Sequence, residues 1–484
     1  MKFQIQAIVA VTAFTVILHL PSHLAGQSGN KGQEVTSPQQ HQHQHAPAVQ
    51  GEAAKPGPQS PATENVPRLR LEDLENMALE SNPTLAQAAS AVRAAEGKKV
   101  QAGLYPNPII GATGDENTPG PVIRGGEFGF FVEQRFVTAG KLAKNRSIAE
   151  QERLQAETTA TAQKQRVLNS VRSFYYEALG AERRVQVQTR LATLSREAVK
   201  ISNELSNVGA TDQPDLLESE IEAERAEVNL IMAKNAQAKV WRELAAVVGK
   251  PTLQPRSLEG NLEEVPRLEL ESAISKLFNE SPEVRTSEVA FAREEAALRR
   301  AKVEKVPDII ARGGLRNNRE LLELGGRPVG LEGFFDVGVE IPFFNRNQGN
   351  VAAARANVER AHRELERVKL SLRMRMAGTY KEYQDSLATA ERYRTQMIPR
   401  AQKAYDLYLN NFRQMAAAYP QVLIAQRNLF QLQGDYITAL VNMWRSAVEI
   451  EGLLLTGGLQ APGSMGTEMP GTFSAELGNS IEER

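Results

Sequence analysis

The chain states one plan twice, about 200 residues apart, and that duplication limits what it can fold into. Leu71-Glu72, Asn82-Pro83 and Leu85 return as Leu270-Glu271, Ser281-Pro282 and Val284. Val132-Glu133-Gln134-Arg135-Phe136 returns as Val339-Glu340-Ile341-Pro342-Phe343. The only two tryptophans close the copies alike, Trp241-Arg242 with Gly249 and Trp444-Arg445 with Gly452. A unit of this length is too long for a solenoid repeat. It is one supersecondary module used twice, side by side.

Each copy reads as the same succession of elements. An amphipathic helix opens it, over 71–102 and 270–305, and prolines end the helix at Pro106 and Pro307. Two short strands follow: 109–114 and 127–136 around the loop 115–126, then 308–316 and 334–342 around the loop 317–333. In the last strand Phe335, Val337, Val339 and Ile341 alternate with Asp336, Gly338 and Glu340, the period of a strand with one apolar and one polar face. A very long helix comes next, 144–207 and 351–415, interrupted by proline only at Pro399. Helices of this length need a partner along their whole course. A turn then leads to a returning helix, 214–248 and 420–455, with Pro214 and Pro420 in matching first turns.

Composition bounds the function. There is no cysteine, which excludes disulfides, thiolate metal sites, cysteine nucleophiles and an acylated amino-terminal cysteine. Lys plus Arg number 57 against 58 Asp plus Glu, so net charge points to no nucleic-acid partner. Lys2 followed by the apolar run Ala7–Leu18 reads as a signal peptide over 1–25, too short to span a bilayer. Residues 26–67 are poor in apolar side chains and read as a disordered His/Gln/Pro-rich linker, as does the Gly- and Ser-rich tail 458–484. The two copies then occupy 68–249 and 267–457, joined by 250–266. No phosphate loop, HExxH or Gly-x-Ser-x-Gly motif is present, and the chain reads as no enzyme and as holding no cofactor.

Four strands cannot close a barrel, and an open sheet edge is forbidden in lipid. Three copies supply twelve strands, enough to close, provided the strands lie in a membrane.

Over Pro67 to Gly457 this plan resembles the TolC family of outer-membrane efflux proteins. Gly140-Lys141-Leu142-Ala143-Lys144-Asn145-Arg146 and Ile341-Pro342-Phe343-Phe344-Asn345-Arg346-Asn347-Gln348-Gly349-Asn350, each following a hairpin, are similar to its heavy-metal, CzcC-like branch. The resemblance implies a mainly α fold with a small β part. As a homotrimer it would form a 12-stranded outer-membrane β-barrel in lipid, continued by a long periplasmic α-helical barrel. It implies the passive exit duct of a tripartite, resistance-nodulation-division type efflux system, docking on a periplasmic adaptor (membrane fusion) protein and an inner-membrane pump. Heavy-metal cations are the expected cargo. The alternatives are the same duct carrying drugs or secreted protein, and a soluble periplasmic coiled-coil adaptor.

Within that frame several residues are candidates. Glu133 and Glu340 occupy the same repeat position and are expected in the pore lumen with Asp336, where carboxylates would favour cations; Arg135 would partly cancel them. The plainer account is that water fills the pore and tolerates any polar side chain. The resemblance puts Asp212 and Asp215 at the periplasmic tip, as a gate or cation constriction; otherwise they only stabilise a helix start. His41, His43 and His45 could chelate a borderline divalent ion, or be a polar linker without consequence. Phe128, Phe130, Phe334 and Phe335 either face lipid or pack between strands, and both tryptophans are expected to pack helices.

Overall fold

Two prolines split what periodicity alone draws as one opening helix. The computed structural model describes residues 68–115, 126–207, 212–321, 327–414 and 419–463, all within the unit Asn65–Arg484. The first copy opens with α1 (Leu71–Ser81) and α2 (Pro83–Ala102), the second with α5 (Leu270–Glu280) and α6 (Pro282–Val303). Asn82 and Ser281 stand between them in extended backbone, as a residue before proline prefers. Each then caps the next helix: Asn82 Oδ1 accepts from the Thr84 N–H at 2.9 Å, and Ser281 Oγ from the Glu283 N–H at 3.2 Å. The single helices expected over 71–102 and 270–305 are thus corrected to pairs.

The strands are β1 (Ile109–Asp115), β2 (Glu127–Phe136), β3 (Ile309–Leu321) and β4 (Pro328–Val339), antiparallel in the order β1-β2-β3-β4. The second hairpin is longer than its Gly-, Asn- and Arg-rich sequence suggests, because polar residues need not leave a strand whose one face is wet. Its last strand stops at Val339, so Glu340–Pro342 lie outside it.

From the sheet the first copy runs into α3 (Lys141–Asn207), whose 67 residues span ~100 Å. α4 (Gln213–Val248) returns and ends on Gly249. That glycine takes φ 80°, and a Cβ there would sit 2.5 Å from the Ser81 carbonyl oxygen, so both conformation and space demand glycine. The second copy has α7 (Gln348–Arg392), a π-helical turn over Tyr393–Met397, and α8 (Ile398–Arg413). Pro399 explains the interruption. It has no N–H for the preceding turn, and its ring crowds that turn's carbonyl, so the helix widens there. α9 (Tyr419–Glu451) completes the copy.

α3 packs on α4 and α9, and α9 on α7 and α8, giving the lateral order α4–α3–α9–α7/α8. Toward its far end α3 buries small side chains, Ala192, Ser195, Ala198 and Ser202, so the seam there is narrow, whereas nearer the core it buries Tyr175 and Leu179. The main core lies where the short helices meet the long ones. Leu74, Leu244, Leu277 and Leu372 are fully excluded from water there, each worth about 2–3 kcal/mol.

The segment between the copies is bound to both. Trp241 Nε1 donates to the Leu253 carbonyl and Trp444 Nε1 to the Leu262 carbonyl, each at 2.9 Å. Trp444 also stacks on Tyr176, ring centroids 3.9 Å apart. The repeated tryptophans therefore hold a strap as well as packing helices.

Candidate functional site: the two-faced sheet and its joints

Strand register sorts the sheet into two chemically opposite faces. Residues paired across an antiparallel ladder share a face. Ile110–Val132–Gly313–Phe335 form one row, Ala112–Phe130–Leu315–Gly333 the next, and Phe136–Ile309–Val339 a third. This face is apolar and uncovered: Ile110, Phe130, Leu331 and Phe335 are each at least 65% exposed. A patch of this kind marks a membrane or protein contact. Phe128, Phe130 and Phe335 belong to it, whereas Phe334 lies on the other face.

The other face is charged. Ile109–Glu133–Arg312–Asp336 form one row and Thr113–Gly129–Arg316–Glu332 another. Arg316 pairs with Glu127 and donates Nε to Glu332 at 3.2 Å. The Arg312 guanidinium lies flat over the Phe131 ring, 3.9 Å from its centroid, and its Nε has no hydrogen-bond partner among the described residues.

Glu133 and Asp336 are thus brought together on the polar face, with Arg312 between them in register. Sequence reasoning missed Arg312 and Arg316. Both have the parity of polar-face positions in a strand that includes them, and that parity is a usable signal. Glu340 lies beyond the end of β4 and is exposed. Arg135 does not offset Glu133; it is held by Asp308 at the foot of the sheet.

That contact is part of a buried cluster at the first strand-to-helix joint. Asp308 accepts from Lys141 Nζ at 2.9 Å, from Arg135 Nη2 at 2.6 Å and from the Thr138 N–H at 3.1 Å. The Lys141 and Asp308 side chains are only 4% and 7% exposed. Burial pushes the Asp308 carboxyl up, but the hydrogen bonds from Lys141, Thr138 and Arg135 outweigh it and hold it at about 2. A lysine in the first turn of a helix opposes the helix dipole, which is the sequence signal that it has an acidic partner.

The remaining candidates lie far along the chain from the sheet. Asp212 is the exposed N-cap residue of α4, without a side-chain capping bond, and Asp215 lies in its first turn. His41, His43 and His45 lie outside the described residues, as do the signal and residues 464–484 of the tail expected over 458–484; its first residues are corrected to ordered chain, with the buried Gly458 N–H donating to Ser170 Oγ at 2.9 Å. Among the described residues no group of His, Cys, Asp and Glu has the spacing to hold a metal ion, and no helix is long and apolar enough to cross a membrane.

The profile described as Outer membrane efflux protein matches residues 74–250 and 273–454, one stretch in each copy. The chain belongs to this outer-membrane efflux family. It is 24% identical over 386 residues to the cobalt-zinc-cadmium resistance protein CzcC of Cupriavidus metallidurans, covering 80% of this chain and 90% of that one. Its fold is similar to that of the outer-membrane channel OprN, with TM-score 0.67, 16% identity and coverage of 81% and 91%. It is also similar to the open state of the MtrE outer membrane channel of Neisseria gonorrhoeae, with TM-score 0.63, 16% identity and coverage of 81% and 90%. Membership places the protein at the outer membrane, where an exposed apolar sheet face has lipid to cover it, and sets aside the soluble-adaptor reading.

Proposed function

We propose that this protein is the passive exit duct of a tripartite efflux system and that its cargo is divalent heavy-metal cations. Three copies close their twelve strands into a barrel, apolar face to lipid and charged face to a water-filled lumen. The helices continue the conduit through the periplasm to an adaptor and an inner-membrane pump. Energy comes from the pump; the duct opens when the helical tips beside Asp212 and Asp215 splay apart.

The observation that carries this reading is the sheet itself. Its exposed apolar face, its charged opposite face and its two open edges fit a third of a lipid-embedded barrel. The metal cargo is supported by the CzcC relative, by carboxylates at Glu133, Asp336 and Glu340, and by the histidines His41, His43 and His45.

The cargo is tested by deleting the gene and measuring growth inhibition by cobalt, zinc and cadmium beside a panel of apolar drugs. Metal hypersensitivity restored by the wild-type chain supports the proposal. Hypersensitivity to drugs alone would keep the duct and replace its cargo.

A further inference from the structure

One arginine of the charged face stands between two carboxylates and pairs with neither. Register sets Arg312 directly opposite Glu133 of β2 on one side and Asp336 of β4 on the other. Opposite charges placed so across a ladder attract and ordinarily meet. Yet Arg312 makes no ion pair among the described residues, and its buried Nε has no hydrogen-bond partner there. Its guanidinium lies over the Phe131 ring instead, 3.9 Å from the centroid, and 5.8 Å from that of Phe334.

Arg316, on the same face of β3, behaves in the opposite way. The Phe334 ring is 5.9 Å from it, beyond stacking distance, and it pairs with Glu127 and with Glu332, the latter at 3.2 Å. Arg316 has one carboxylate directly opposite it, whereas Arg312 has two. The better-placed arginine is the unpaired one, so position in the ladder does not decide the pairing. The ring under the guanidinium does.

The competing terms are close enough for a ring to win. An ion pair open to water gains little, because both ions are solvated and two long side chains must be fixed. A guanidinium is planar and weakly hydrated, and it stacks on an aromatic face with little loss. The ring is itself seated by a glycine. A Cβ at Gly111, opposite Phe131 on β1, would stand 2.5 Å from Phe131 Cζ, so any larger residue there displaces the ring.

We propose that Phe131 is a positioning residue of the lumen: its ring holds Arg312 off Glu133 and Asp336, leaving both carboxylates free for hydrated divalent cations that pass along the charged face. This rests on the duct reading and names what keeps its cation-attracting groups available. Without the ring, Arg312 closes onto the carboxylates. The net charge of the wall is then unchanged, and only the hold on a passing cation weakens. A conducting pore holds its ions weakly in any case, so block by a slower divalent ion reads that hold directly.

Cadmium block of the potassium current through the purified protein in a planar bilayer tests this. Phe131→Leu should raise the cadmium concentration that halves the conductance by about threefold, the size of one solvated ion pair. Gly111→Ala displaces the ring without removing it, should act in the same direction, and serves where the leucine variant does not insert. Phe131→Tyr keeps the ring and should match wild type. Arg312→Gln should lower the blocking concentration, and adding Phe131→Leu to it should change nothing further, because the ring acts only through that arginine. Wild-type block in both Phe131→Leu and Gly111→Ala would overturn the inference and leave the duct standing. So would a further shift in the double variant, or a conducting wild type that cadmium does not block. A wild type that never conducts would remove the duct reading itself, and this inference with it.

Discussion

The two strand-to-helix joints share one left-handed turn position and differ in chemistry. In the first, Gly140 turns the chain at φ 63°; in the second, the matching Asn347 turns it at φ 61°. Around the first lies a lock of Lys141 and Asp308, both buried, with the exposed Arg135 on its rim. Around the second, Gln348 stands where Lys141 was and Pro342 where Arg135 was, and Phe343 and Phe344 remain 70% and 95% exposed. Duplication preserved that one left-handed turn. Divergence gave one joint an ion-paired lock and left the other with exposed aromatic side chains.

The largest expected effect breaks the lock. Lys141→Met leaves Asp308 buried with one cation fewer and should cost about 3 kcal/mol in guanidinium unfolding of the detergent-extracted protein. Gln348→Ala at the matching place should cost about 0.5 kcal/mol or less. Equal losses would mean that the joints are not chemically distinct.

Acid should separate the joints next. Asp308 is depressed from its ordinary 3.8 to about 2, so its contribution is complete above 3.8 and declines as pH falls below it. It is gone below the folded value of about 2. Wild type should therefore lose about 2 kcal/mol more than Asp308→Asn between pH 5 and pH 2, while Gln348→Ala follows wild type. Parallel acid curves for wild type and Asp308→Asn would remove the lock from the account.

The smallest effect concerns the lumen. Glu133 stands opposite Arg312 across the ladder, whereas Glu340 lies beyond the end of β4 and has no paired residue among the described residues. Glu340→Gln should lower the cation/anion permeability ratio more than Glu133→Gln, and Arg312→Gln should raise it, each by about twofold in a salt-screened pore. Reversal potentials across a salt gradient measure all three.

What the sequence made legible was whatever is local or periodic. The copies, their hairpins and the apolar alternation from Phe335 to Ile341 are visible because a period needs only neighbours. The breaks at Asn82 and Ser281 were written as Asn-Pro and Ser-Pro, yet amphipathic residues on both sides mask them. The longer β3 and β4 were hidden because a wet strand face has the composition of a loop. The Lys141–Asp308 lock joins residues 167 apart; the first-turn lysine signals an acidic partner, but no pattern in one sequence says which acid it is. Arg312 is hidden for a different reason: it is peculiar to one copy, so the repeat carries no signal for it.

The central claim is that the two-faced sheet is one third of a conducting barrel. Single-channel recording of the purified protein in a planar bilayer, with its mass determined in the same detergent, tests it most directly. Trimers that insert and give stable openings preferring cations over anions are expected. A protein that remains water-soluble and monomeric and never conducts would contradict it.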